Sequence, residues 1–290
     1  MKPAPFGYHD PKTIEETVAL MAQLENVRAL AGGQSLVPMM NFRYAMPDHL
    51  IDLNGVAGLD ILEIGDNIRM GAMLRQRRIE FSEELRAACP ILHEALLHVG
   101  HRQTRNRGTI GGSLCHLDPA AEMPAMMRLL DAQMTAFSVR GARTMRVDEF
   151  AMGFMTTALE PDELLTEIRL TPWKPGHGYG FHEYARRHGD FAICSAGVLI
   201  EADFKGAVSR LAVVVGGLDP VPQRLSETEA AAIGQPISAK LVEDIVAAAG
   251  QVETMSDAHV SAEYRSHLAG VMTRRAMTTA IARLGVKAHV

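Results

Sequence analysis

Two short glycine pairs, Ala31-Gly32-Gly33-Gln34-Ser35 and Thr109-Ile110-Gly111-Gly112-Ser113, each end in a hydroxyl. Glycine permits positive φ and lets a ligand approach the main chain. Successive backbone N–H groups can then converge on an anion while Ser35 and Ser113 add hydroxyl donors. One such turn alone is an ordinary turn; two with matching surroundings point to a clamp for the diphosphate of a dinucleotide. Arg105-Asn106-Arg107-Gly108 directly precedes the second pair. Its guanidinium groups either neutralise that diphosphate or form a solvated charged loop. Glu122 has the polarity to hold ribityl or ribose hydroxyls, and equally suits the first turn of a helix. Glu183-Tyr184-Ala185-Arg186-Arg187-His188-Gly189-Asp190-Phe191 is dense in polar groups. Its Phe191 is either an aromatic cover for a flat ring system or a core residue.

Several chemistries lack their residues. Neither glycine pair fits G-x-G-x-x-G, and there is no G-x-x-x-x-G-K-[ST] loop, H-E-x-x-H or G-x-S-x-G, so a Rossmann dehydrogenase, a P-loop NTPase, a zinc peptidase and an elbow hydrolase are poor fits. His98 and His101, at i, i+3, lack a third ligand of defined spacing and with His93 read as solvated helix histidines; Cys115-His116 with Asp118 reads as packing beside the second glycine turn. Cys89, Cys115 and Cys194 form neither a disulfide framework nor a C-x-x-C pair and cannot supply four thiolates to an iron–sulfur cluster. They suit a reducing compartment.

The elements that must position these residues read as mixed α and β. Thr13-Ile14-Glu15-Glu16 predicts a capping box opening a helix to about Leu24. Strands are expected at Arg28 to Ala31, His49 to Leu53, Ile61 to Ile64 and Ile68 to Gly71, the last two joined by the hairpin turn Gly65-Asp66-Asn67. Helix follows at Pro90 to Val99 and again at Ala121 to Leu130, then strands at Met134 to Val139 and Thr144 to Val147 around the turn Arg140-Gly141-Ala142. Thr171-Pro172-Trp173-Lys174-Pro175-Gly176-His177-Gly178 reads as an interdomain linker. Beyond it come strands at Tyr179 to Tyr184, Ala192 to Glu201 and Val208 to Val215, and helices at Ser238 to Gly250 and Ser261 to Leu284. Strands followed by helices predict an α+β module.

The 290 residues are long enough for two domains, and 47% hydrophobic with 22% charged residues is ordinary for a packed globular protein. A formal charge of −5 argues against a sequence-independent grip on nucleic acid. No apolar run approaches the roughly 20 residues of a membrane span, and Met1-Lys2-Pro3-Ala4-Pro5-Phe6 lacks the apolar core of a signal peptide, which predicts a cytoplasmic protein.

Taken together, Ala31 to Pro38, Arg105 to Ser113, Pro161 to Leu165 and Glu183 to Phe191 resemble the FAD-binding medium subunits of the carbon monoxide dehydrogenase and xanthine dehydrogenase group of molybdenum hydroxylases, over nearly the whole chain. The resemblance implies an α+β fold: a two-subdomain FAD-binding domain of the PCMH or vanillyl-alcohol-oxidase type at 1–175, divided at about 55/56, then a carbon monoxide dehydrogenase flavoprotein C-terminal α+β domain at 176–290 covering the flavin.

It further implies that Arg28, Ala29, Leu30, Ala31, Gly32, Gly33, Gln34, Ser35 and Leu36 form a first phosphate loop. Thr109, Gly111, Gly112 and Ser113, with Arg107 before them, form the second, and Glu122 binds the cofactor's hydroxyls. Leu165 lines the ring, His182 stands where some relatives have a lysine near the flavin, and Phe191 lies over the isoalloxazine. Val99 falls where an aromatic stacks in the xanthine enzymes.

No substrate chemistry is expected on this chain. The resemblance places a molybdenum cofactor on a large partner subunit and two [2Fe–2S] clusters on a small one, in a dimer of heterotrimers. Electrons pass through the clusters to FAD and on to an external acceptor. The closest likeness is to subunits serving hydroxylases of nitrogen heteroaromatics such as quinoline or nicotine-type compounds. Carbon monoxide as the substrate of the whole enzyme, a self-contained flavin oxidase or reductase on the same fold, and a non-enzymatic nucleotide-binding scaffold are the alternatives.

Overall fold

The computed structural model describes residues 1–285. Strand β1 (Gly7–His9) leads into helix α1 (Ile14–Gln23), where Thr13 Oγ1 accepts from Glu16 N at 3.1 Å. The Glu16 carboxylate receives the N–H of Lys12 rather than that of Thr13, so the expected reciprocal box closes one residue early. Strand β2 (Val27–Leu30), the short helix α2 (Leu36–Asn41) and strand β3 (His49–Asp52) complete a three-stranded parallel sheet with β3 in the centre. Its core sets Val18 and Ile51 against Leu59, Met73 and Leu164 from farther along the chain.

A second, antiparallel sheet is assembled across a long stretch of chain. Strands β4 (Leu62–Ile64) and β5 (Ile68–Gly71) form the expected hairpin, and five helices come next: α3 (Gln76–Phe81), α4 (Glu83–Ala88), α5 (Pro90–Leu96), α6 (Arg102–Arg107) and α7 (Ile110–His116). Helix α8 (Glu122–Leu129) precedes strands β6 (Gln133–Ser138) and β7 (Gly141–Arg146). After helix α9 (Val147–Phe150) and the small pair β8 (Ala151–Gly153) and β9 (Thr156–Thr157), strand β10 (Leu164–Leu170) inserts between β5 and β6. The order is β4-β5-β10-β6-β7.

Residues 171–177 carry no regular element, but the segment is anchored: Trp173 is buried and the Arg210 guanidinium stacks 3.9 Å above its ring. Strands β11 (Gly178–Tyr184), β12 (Cys194–Ala202), β13 (Val208–Gly216) and β14 (Gln223–Arg224) then form an antiparallel sheet in sequential order. Helices α10 (Ser226–Ala232), α11 (Ala239–Ala249) and α12 (Ala262–Ala282) come after it.

Both faces of that last sheet are buried. Ala196, Val198, Val213 and Val215 pack beneath Ala269, Met272 and Ala276 of α12. On the other face Phe181, Leu199, Ala212 and Val214 join Ile91, Leu92 and Leu96 of α5 and Met123, Met126 and Leu129 of α8 in one continuous cluster. Strand alternation sorts the side chains between these faces. The two halves of the chain therefore share a core. Among the described residues no helix is long and apolar enough to cross a membrane.

Candidate functional site

The two glycine pairs come together where the first sheet meets the helical layer. The first pair is the surface loop between β2 and α2. Gly33 takes φ +73°, the left-handed conformation that side chains resist. Gly32 is pressed against the second segment: a Cβ there would stand 2.3 Å from the carbonyl oxygen of Arg107 and 2.9 Å from Gly108 Cα. Asn54 and Arg75 complete the junction. Asn54 Nδ2 donates to Ala31 O at 3.1 Å, Arg75 Nη2 donates to Asn54 Oδ1 at 2.5 Å, and Arg75 Nη1 donates to Arg107 O. Neither residue is marked by any local motif, since their partners lie far along the chain.

The loops differ in what they leave free. Among the described residues the backbone N–H groups of Gly32, Gly33, Gln34, Ser35 and Leu36 meet no acceptor, and the Ser35 hydroxyl makes no capping bond. At the second loop Ile110 N donates to Leu74 O at 3.0 Å, Gly111 N to Ala72 O at 2.9 Å, Gly112 N to Thr109 Oγ1 at 3.0 Å, and Ser113 N to Thr109 O at 3.2 Å. The reason is that the second pair starts helix α7, with Thr109 as its N-cap, and is stitched along the chain leaving β5. Gly111 serves packing: a Cβ would stand 2.6 Å from Ala72 Cβ and carbonyl oxygen. The expectation of amides converging from both loops is corrected to a one-sided cradle, with the second loop as its support.

Charge gathers at the same place. Arg107 is exposed, whereas burial and the neighbouring Arg107 both push the Arg75 pKa down. Arg75 is engaged by Asn54 and the Arg107 carbonyl, and Asp52 acts on both arginines, so the exposed Arg107 is the guanidinium left to meet an anion at the loop of free amides. Arg105 is corrected out of that set. It is buried, bonds Glu80 Oε2 from Nε at 3.0 Å, and donates from Nη1 to Val99 O at 3.0 Å. Arg28 lies exposed on β2, with Ala29 and Leu30 half-buried beside it.

The remaining predicted residues lie towards the seam with the last sheet. Glu122 opens α8, buried, and its carboxyl meets that of Glu183 on β11. Burial raises both pKa values, and the Glu122 charge raises that of Glu183 further, so the pair holds a proton at neutral pH. Sequence reasoning missed Glu183 as a partner, although it stands in the same polar segment as Phe191.

Phe191 is 72% exposed at the end of the loop joining β11 and β12. That loop is pinned to the first half, because Gly189 packs on the His101 ring and His188 stacks on it at 6.3 Å. Leu165 is fully buried on β10 beside a bulge and faces the shared core. His182 is corrected: strand alternation turns it to the opposite face from Glu183, where Nε2 meets Thr279 Oγ1 of α12 at 3.0 Å. His98 and His101 also part company, His98 facing Glu183 and His101 facing His188.

Residues 4–173 match the family described as the FAD binding domain in molybdopterin dehydrogenase, and residues 179–280 match the CO dehydrogenase flavoprotein C-terminal domain. The chain is 38% identical to caffeine dehydrogenase subunit beta of Pseudomonas sp. (strain CBB1), across 98% of this chain and 97% of that one. It is 37% identical to the carbon monoxide dehydrogenase medium chain of Afipia carboxidovorans, across 98% and 99%. The solved structure of quinoline 2-oxidoreductase from Pseudomonas putida 86 superposes with a TM-score of 0.91 at 32% identity, covering 97% of this chain and 98% of that one. With matches that account for both halves of the fold, the chain belongs to the FAD-binding medium subunits of the molybdenum hydroxylases.

Proposed function

We propose that this subunit relays electrons, within a cytoplasmic dimer of heterotrimers, from two [2Fe–2S] clusters on a small partner chain to an external acceptor. A large partner chain carrying the molybdenum cofactor oxidises a nitrogen heteroaromatic. The relatives named for caffeine and quinoline support that substrate class. The bound FAD supplies the conversion between paired and single electron transfers.

Everything else falls to this chain's own groups. The amides of Gly32 to Leu36 and the Ser35 hydroxyl hold the diphosphate, Arg107 offsets its charge, and Arg28 with Ala29, Leu30 and Ala31 delivers the loop. Thr109, Gly111, Gly112 and Ser113 back it from below. Glu122 accepts hydrogen bonds from the cofactor's hydroxyls, Leu165 supports the ring pocket from the core, and Phe191 covers the seam. We place the domain boundary at 175/176 and the subdomain division near 55/56, where the parallel sheet gives way to the antiparallel one.

The observation that carries the reading is the row of five amides without acceptors, among the described residues, on the loop whose Gly32 packs on the Arg107 backbone. The test is the visible spectrum of the chain purified from its host before and after dithionite. A bleachable flavin band overlaid by broad iron–sulfur absorption is expected. Flavin alone, with turnover by the isolated chain, would make it a self-contained flavoenzyme.

A further inference from the structure

The acid pair at the seam has more built around it than a contact to ribityl hydroxyls needs. Glu183 is on the first strand of the last sheet and Glu122 on the first turn of α8, so the pair bridges the two halves of the fold. The Glu183 side chain is only 5% exposed, yet its Oε2 meets no donor. A proton shared with Glu122 is what satisfies that oxygen, since two carboxylates together have no donor between them.

On the other side of Glu183, its Oε1 faces His98 Nδ1 at 3.9 Å, a gap that one water or a small ring rotation closes. The His98 side chain is 39% exposed, so it joins the buried pair to solvent, and Phe181 holds its ring edge-on at 5.3 Å. The surrounding charges are Asp118 and Arg105 near Glu122, and Glu94, His182 and His188 near His98. On the neighbouring strand Ser195 lies directly across from Glu183, while Cys194 turns to the α12 side of the sheet.

Electrons that arrive from a metal cluster bring no protons, whereas full reduction of a flavin ring takes up at least one. We propose that Glu122, Glu183 and His98 form the proton relay that feeds the flavin, an inference that rests on the placement of Glu122 at the cofactor. The balance is simple. The one shared proton leaves through Glu122 for the reduced ring, and His98 passes one from Nδ1 to the emptied pair at Glu183 while taking one from water at its other nitrogen, so that the pair again holds one proton. The two electrons come from the partner's clusters, and no carboxyl is consumed. Burial keeps His98 below its ordinary pKa range, which leaves it neutral and free to act as a shuttle.

The experiment is reduced-minus-oxidised infrared difference spectroscopy of the FAD-loaded complex with its partner subunits, in H2O and D2O, with flavin content measured by absorbance after release. A protonated-carboxyl carbonyl band that shifts in D2O is expected in the wild type and absent from Glu122→Gln and Glu183→Gln, which keep shape and hydrogen bonding. In His98→Phe the band stays, but proton uptake on rapid reduction, followed with a pH dye, slows about 10-fold or more. The relay is overturned by a wild-type spectrum without the band, by a band that survives in both Gln variants, or by unchanged uptake in His98→Phe. A wild-type complex without FAD sinks the functional reading itself, before any variant is made. Should both Gln variants shed their flavin, the unfolding of the purified chain against pH decides. A pH dependence they share with the wild type overturns the shared proton, and one that disappears with either carboxyl upholds it.

Discussion

Gly32 and Arg107 touch through their backbones: no atom larger than hydrogen fits between Gly32 Cα and the Arg107 carbonyl oxygen, which would lie 2.3 Å from a Cβ. Because the obstructing atom is backbone, a rotamer change cannot relieve the clash. Gly32→Ala must therefore part the two loops. We expect FAD affinity to fall at least about 10-fold, or about 1.4 kcal/mol, with the fold retained, as measured by flavin fluorescence on dilution beside circular dichroism. Full flavin retention would show that the junction does not shape the cradle. Gly33→Val, at φ +73°, should likewise cost FAD binding. Gly111→Val collides with Ala72 and should lower the melting temperature as well.

Between Glu122 and Glu183 the expected signature is one of pH. In the unfolded chain these carboxyls titrate near their ordinary 4.5, whereas the folded pair holds a proton up to about 8. Over that window the unfolded state binds fewer protons, so stability falls as pH rises. The loss is on the order of a few kcal/mol. Glu183→Gln should flatten this fall and be more stable than wild type at the alkaline end. Thermal unfolding from pH 5 to 9 measures it, and parallel curves would refute the shared proton.

Arg105 is a structural counterpart to the exposed Arg107. Its pair with Glu80 is buried, and removing Arg105 leaves that carboxylate with Arg77 alone, at 3.2 Å, and the Val99 carbonyl without its donor. Arg105→Met should then cost about 1–3 kcal/mol in urea unfolding. Direct participation of Arg105 at the diphosphate would instead appear as loss of FAD without loss of stability.

Phe191→Ala removes a ring that is 72% exposed, so unfolding free energy should stay within about 0.5 kcal/mol. The reduced enzyme's reaction with oxygen is expected to change, because the loop covers the seam. An unaltered flavin spectrum and oxidation rate would remove Phe191 from the site.

Elements closed by local signals were legible in the sequence. Thr13, Ser238 and Ser261 cap their helices as their positions suggest, and Gly65-Asp66-Asn67 turns a hairpin. Helix α6 was not legible because Arg102–Arg107 has no apolar period. Its place is fixed by Arg105 reaching back to Glu80 and the Val99 carbonyl. Helix α7 was hidden by its glycines, which read as a turn when isolated but are the close contact of a helix start on β5. Strand β10 gave a motif but no strand signal, since its partners β5 and β6 lie far upstream. The same distance concealed Glu183 behind Glu122, and the face to which His182 turns depended on which helix covered which side of the sheet.

The sheet of β11 to β14 is filled on one side by α12 and on the other by α5 and α8, which belong to the first half of the chain. Severing residues 171–177 would leave each fragment with an open apolar wall. The C-terminal unit is thus no interchangeable cassette. A graft from a relative with a different electron acceptor must bring α5 and α8 with it, or arrive with its own face recut to match theirs.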